Sequence, residues 1–335
     1  MEATALADSA KSSPARSGEP ARAAGPERGS SVGRWRLDRS QRVALVGAAC
    51  AVLVLHLAIG LRPEHWVSAA AFAVLVLIGG NAFRLALLMM PIPMVLVLYD
   101  LSRFTAELRG EIHVADLYFA ELRWFGVGEG ADRELLTDVL ARHTHAALDF
   151  VCGLAYLIYL YVPMLLAVLM FRRHPRTMAV HSWAFLLVNV LGFITYVVYP
   201  AAPPWYVAKY GLGPAQLDAL PDAAGAARFD ALLGIDYFES FYSRSANVFG
   251  AMPSLHTAYP VVGVVSVAAL GWRWALPTGA FAVLVAFSAV YLQHHYVWDV
   301  LMGALFAVVA WLGVRALATR VRLPGLAPSA AGTRA

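Results

Sequence analysis

Long apolar runs, repeated through most of the chain, constrain this sequence more than any other feature. A hydrocarbon layer is crossed by roughly 20 apolar residues in helical form. Eight segments approach that length: 43–61, 66–82, 84–101, 147–171, 178–199, 256–271, 275–293 and 297–317. Inside lipid every backbone N–H and C=O must be satisfied within the segment, so such runs fold as helices. The expected fold class is all-α: a polytopic membrane helical bundle of about eight transmembrane helices. The charge content agrees, since 14% of the residues are Asp, Glu, Lys or Arg, against about 25% in a soluble domain. The net charge of +4 is small and the arginines stand mostly at the ends of the apolar runs. They read as topology signals and anionic-lipid contacts, with no nucleic acid as partner. Cys50 and Cys152 lie inside apolar segments and read as small buried hydrophobes, not a disulfide framework.

Residues 1–40 are rich in Ala, Ser, Pro, Gly and Arg without apolar periodicity, as in a disordered cytoplasmic tail. The first apolar run begins at Val43, too late for a cleaved signal. A membrane domain over 41–320 and a second disordered tail over 321–335 complete the expected organisation. Arg34, Arg36, Arg39 and Arg42 place the N-terminus inside; Arg315, Arg320 and Arg322 do the same for the C-terminus. Arg172, Arg173, Arg176 and Arg273 mark internal loops. Two inside ends require an even number of spans, which a cut at Gly79-Gly80-Asn81 supplies, with Pro91 and Pro93 kinking the next piece. The outer face then carries 102–146 and 200–255. Val114–Phe125 has the mixed pattern of a helix lying in the interface, and Tyr199–Tyr206 holds three prolines in a stiff bend. The expectation is an integral protein of the cell (inner) membrane with its working end outside.

Ionisable groups at membrane depth are costly and point to function. Here they concentrate in Phe249-Gly-Ala-Met-Pro-Ser-Leu-His256 and His294-His295-Tyr-Val-Trp-Asp299. Ser254 supplies an N-cap, and the helix start behind it offers free N–H groups to a phosphate. His295 and Asp299 are four apart, which predicts one shared helix face, with Asp299 fixing the imidazole tautomer and leaving the other nitrogen nucleophilic. A lone histidine at a helix end is usually only a satisfied polar group. The chain even carries a decoy, His145 and Asp149, with the same spacing. A metal site built from His256, His294, His295 and Asp299 is the rival chemistry. Adjacent helical histidines point about 100° apart, and no further ligand presents itself, so neither metal nor other cofactor is expected.

These segments resemble the phosphatidic acid phosphatase type 2 superfamily. Together with Leu191-Gly-Phe-Ile-Thr-Tyr-Val-Val-Tyr-Pro-Ala-Ala-Pro-Pro-Trp-Tyr206, and more weakly Tyr99-Asp100 with Arg103, they are similar to the fungal inositol phosphorylceramide synthase group and its bacterial relatives. The resemblance covers roughly residues 84–317 and implies a six-helix catalytic core. It implies that His295 attacks phosphorus, Asp299 orients it, and His256 serves as general acid and then base, without a metal. Three departures stand out. Tyr199-Pro200 lies in the region where phosphatase members carry a Lys-x6-Arg-Pro segment, Ala289 replaces an arginine six before His295, and Leu255 replaces a glycine. Fewer fixed cations suit a diester, with one negative charge, better than a monoester. The expected activity is a lipid headgroup phosphotransferase with membrane lipids as donor and acceptor, most simply phosphoinositol moving to a ceramide or other lipid alcohol. A phosphatase or phospholipase with water as acceptor, and a non-catalytic scaffold or transporter, are the rivals. Arg103, Arg244, Lys209 and His294 read as substitute phosphate clamps or interfacial anchors. Tyr99, Asp100 and Asp149 read as headgroup contacts or partners of arginine.

Overall fold

The computed structural model describes residues 37–243, 247–321 and 323–326; the tails at 1–36 and 327–335 and the candidate Arg244 lie outside them. The regular structure among the described residues is helical, with isolated bridges and no strands.

α1 (Arg39–Ile59) begins before the apolar run because Asp38 and Gln41 form a reciprocal capping box. The Gln41 amide also donates to the Val76 carbonyl at 2.6 Å, tying α1 to α2 (Pro63–Ile78). Gly79, at φ +76°, breaks the chain before α3 (Gly80–Met89), where the expected cut falls. After the turn at Pro91–Pro93 comes α4 (Met94–Leu101), and Gly80–Thr105 is long and apolar enough to count as one span. α5 (Ala115–Phe125) occupies the expected interfacial segment, followed by α6 (Leu136–Arg142).

The expected fourth span is broken into α7 (Ala146–Ile158) and α8 (Tyr161–Met170), bent by 52°. Pro163 has no N–H for the Tyr159 carbonyl, which weakens the ladder at the bend. Its own carbonyl is held by the buried ring of His181, at 3.0 Å, on α9 (Pro175–Val198). The other ring nitrogen of His181 meets Ser266 Oγ at 3.0 Å on α13 (Leu255–Ala268). Between α9 and α13 lie the short helices α10 (Pro204–Tyr210), α11 (Ala227–Leu233) and α12 (Tyr237–Tyr242). The chain ends in α14 (Trp272–Tyr291) and α15 (Val297–Leu317).

Five of these helices are long and apolar enough to cross a membrane, or six if α7 and α8 form one bent span. The other two expected spans correspond to α2, with 16 residues, and α13, with 14. α8, α9, α13 and α15 share the main apolar core through Leu166, Phe185, Val188, Val262 and Ala307. Above it, three extended pieces pair side by side: His113 N–H donates to Pro200 O at 2.8 Å, Ala201 N–H to Phe249 O at 2.9 Å, and Ala251 N–H to Ala201 O at 3.2 Å. This small pairing sets the position of Ala251.

Candidate active site

Ser254 is the N-cap of α13, its Oγ accepting from Thr257 N–H at 3.3 Å. Its own N–H donates to the Asp299 carbonyl at 2.8 Å. α15 can come this close because residue 303 is glycine: a Cβ there would stand 2.2 Å from the Ser254 carbonyl oxygen. Two N–H groups of the expected phosphate cradle are therefore already in use, and Ser254 acts as a joint between helices.

The chain leaving α14 turns back on itself. Gln293 has φ +61°, and the N–H groups of His294 and His295 both donate to the Ala289 carbonyl at 3.1 Å. Ala289, the position of the missing arginine, is fully buried. His295 thus precedes the N-cap of α15 and is not on a shared helix face with Asp299. The shared-face expectation fails because the linker, not the helix, carries the ring. Nδ1 of His295 lies 2.9 Å from the Ala251 carbonyl and 3.5 Å from Asp299 Oδ2. The nearer carbonyl accepts the Nδ1 proton, so the lone pair is on Nε2. That nitrogen lies 3.0 Å from Nδ1 of His256. Asp299 is fully buried and accepts from Tyr296 N–H at 2.8 Å, so it anchors the turn as much as the ring.

Aromatic rings flank His256 and His294. Tyr156 stacks on His256 at 4.3 Å between centroids and lies near-parallel to His294 at 5.4 Å. Tyr242 stacks on His294 at 4.5 Å. Beside His256 opens a cavity of about 80 Å³ lined by Tyr156, Tyr159, Tyr161, Tyr237, Phe241 and Tyr242. His294 itself is buried, with Nε2 3.1 Å from the Ala223 carbonyl. Burial, with His295 adding to it, holds its pKa down to about 3.

The remaining candidates lie in other contacts. Asp100 pairs with Arg62 at 2.5 Å and faces His65 at 3.4 Å, Tyr99 packs edge-on against Phe193, and Arg103 donates to the Ile59 carbonyl. Asp100 and Arg103 fasten the α1–α2 hairpin to the end of α4, and Tyr99 packs α4 against α9. Lys209 pairs with Asp222 at 2.7 Å, and Asp149 with Arg228 at 2.7 Å and Tyr291 at 2.9 Å. Among the described residues, no Lys or Arg is hydrogen-bonded to His256, His294 or His295, and no cluster of His, Cys, Asp and Glu has the grouping of a metal site.

Four contributors escape sequence reasoning. Tyr156 and Tyr242 look like ordinary apolar-helix and loop aromatics. Ala251 acts through its carbonyl, which no side chain advertises. Glu121, 1% exposed under the start of α15, was legible only as a lone carboxylate in an apolar stretch.

The profile described as PAP2 superfamily matches residues 130–313, which contain His256, His295 and Asp299. The chain is 37% identical over 273 residues to a phosphoinositol dihydroceramide synthase from Bacteroides thetaiotaomicron, covering 80% of this chain and 89% of that protein. It is 34% identical over 178 residues to an inositol phosphorylceramide synthase from Candida albicans, covering 52% of this chain and 38% of the relative. For the inositol phosphorylceramide synthase catalytic subunit of Saccharomyces cerevisiae the identity is 35% over 181 residues, 52% of this chain and 44% of the relative. The fungal proteins are thus matched over less than half their length. No solved structure matches the chain. With over half its length under one family profile and a 37% identical relative matched nearly end to end, this chain belongs to the PAP2 superfamily.

Proposed function

We propose that the chain is a lipid headgroup phosphotransferase that works through a phosphohistidine on His295. The observation that carries this reading is the 3.0 Å contact between Nδ1 of His256 and Nε2 of His295, at the edge of an aromatic cavity. A nucleophile and a proton carrier from separate helices face each other, and phosphorus reaches Nε2 of His295 when the hydrogen bond between the two rings opens.

The steps balance. Nε2 of His295 attacks phosphorus, a P–N bond forms, and the P–O bond to the glycerol oxygen of the donor breaks. Protonated His256 gives its proton to that oxygen, and diacylglycerol leaves. Neutral His256 then takes the proton of an acceptor hydroxyl as its oxygen attacks phosphorus and the P–N bond breaks. The product carries the headgroup and His256 is protonated again. The Ala251 carbonyl keeps the His295 proton on Nδ1 throughout, and Asp299 stabilises the imidazole as it gains positive character. Ala289, standing where phosphatase members carry an arginine, favours a singly charged diester donor. The names of the relatives favour a phosphoinositol donor and a ceramide-type acceptor. Eight spans with both ends inside and the histidines at the outer face remain part of this reading.

The test uses the purified protein in vesicles with inositol-labelled phosphatidylinositol and a short-chain ceramide. Label on the ceramide, lost in His295→Ala, is the expected result. Release of inositol phosphate to water alone would make the chain a hydrolase. Transfer that survives His295→Ala would remove the nucleophile.

A further inference from the structure

Ahead of the superfamily match, which begins at residue 130, α5 carries a buried carboxylate. Oε1 of Glu121 accepts from Val297 N–H at 2.9 Å, and Oε2 accepts from Trp298 N–H at 3.2 Å. These are the first two residues of α15, whose N–H groups have no partner within the helix. The same short helix grips the Trp298 ring edge-on through Phe125, at 5.3 Å, and Trp124, at 6.4 Å. Leu117 of α5 shares a buried cluster with Ala251 and Tyr296. So α5 braces both supports of His295: the carbonyl that fixes its tautomer and the helical turn that carries Asp299.

We propose that Glu121 is a positioning residue for the phosphotransfer centre, and that its ionised carboxylate is the working form. This rests on the role proposed for His295. An ionised carboxylate offers an acceptor to each of the two N–H groups. Protonation converts one oxygen into a donor and leaves one N–H of the turn without a good acceptor. The titratable groups that act on Glu121 are Asp299 on α15 and Tyr296 just before it, and neither is cationic. Burial, opposed by the two N–H bonds and assisted by Asp299, pushes Glu121 up to about 7 from an ordinary 4.5. The clamp therefore changes state near neutral pH.

Two signs follow, and they oppose each other. The fold binds the Glu121 proton more tightly than the unfolded chain does. Its contribution to stability is full below the ordinary carboxylate range and is lost as pH rises through about 7. Catalysis gains over the same interval as the clamp forms. In Glu121→Gln one oxygen still accepts, but the amide nitrogen cannot, which imitates the protonated state. The transfer assay should show kcat of the wild type rising through about pH 7, and the variant flat and about tenfold lower on the alkaline side. Lipid KM values should be unchanged. The wild-type Tm should fall relative to that of the variant between about pH 5 and 8. Glu121→Asp, which keeps the charge on a shorter side chain, should retain a pH limb that is shifted in position and lower in height.

A variant slowed by one constant factor at every pH, or a wild-type limb intact in Glu121→Gln, overturns the inference. So does a Tm difference that ignores pH, a reading that needs no turnover. If instead the wild type fails to transfer any headgroup while the Tm behaviour holds, the proposed function falls and the clamp stands. Should Glu121→Gln not fold, the Glu121→Asp profile decides, and a limb unchanged in position and height overturns the assignment.

Discussion

His145–Asp149 and His295–Asp299 have the same spacing, and both stand at the start of an apolar helix, yet the fold gives them different neighbours. His145 caps α7, its Nδ1 accepting from Ala147 N–H at 3.1 Å, and Asp149 binds Arg228 and Tyr291. That pair joins α7, α11 and α14. His295 hangs from a reversed linker, its Nδ1 held by a carbonyl from a third segment and its Nε2 turned toward a second imidazole. What separates the two is not the motif but what arrives from elsewhere: an arginine and a phenol in one case, His256 in the other.

The sharpest way to break this comparison is to remove the two imidazoles in turn. His295→Ala should lower headgroup transfer by at least ~10³-fold and abolish any acid-labile phosphoprotein trapped from labelled donor. Trapping that persists would place the covalent intermediate elsewhere. Next come the glycines that let each helix approach its partner. Gly303→Ala puts a Cβ 2.2 Å from backbone, the Ser254 carbonyl, which cannot swing aside, whereas Gly153→Ala on α7 meets the Phe229 side chain at 2.3 Å. Gly303→Ala should cost about 10²-fold in kcat by displacing the α13–α15 joint. Gly153→Ala should mainly lower Tm, and equal kcat losses would erase the distinction. Asp149→Asn should then cost about 1–3 kcal/mol of stability by weakening the Arg228 pair, with transfer per folded molecule retained. A kcat defect there would move Asp149 into the working site. The smallest effect belongs to His145→Ala, about 0.5–1 kcal/mol from the lost cap, read by thermal unfolding, with an unaltered pH–rate profile.

Legibility varied for physical reasons. Helical segments were readable because lipid leaves a backbone few alternatives, and the break at Gly79 because only a residue without Cβ takes that φ cheaply. The bend at Tyr159–Leu160 was not, since Pro163 sits close enough to a helix start to be tolerated. Nor was the fate of each helix: α1 and α9 are both strongly apolar, but 6% of the apolar window is buried in α1 and 61% in α9. Hydropathy reports solubility in oil and cannot tell a lipid neighbour from a protein one. The charged candidates Asp100, Arg103, Lys209 and Asp149 were visible as costly groups, but their partners Arg62, Ile59, Asp222 and Arg228 stand 13 to 79 residues away in sequence.

By itself the sequence determined an all-helical membrane chain of the PAP2 superfamily and pointed to His256, His295 and Asp299, because apolar length and residue chemistry are local properties. Only the tertiary structure decided that Ala251 and not Asp299 is the nearer partner of His295, that Ser254 joins two helices, and that a carboxylate on α5 holds the start of α15. Those outcomes depend on backbone carbonyls and N–H groups, which every residue carries alike, so their use is set by where the chain folds back and not by which side chain is written at the position.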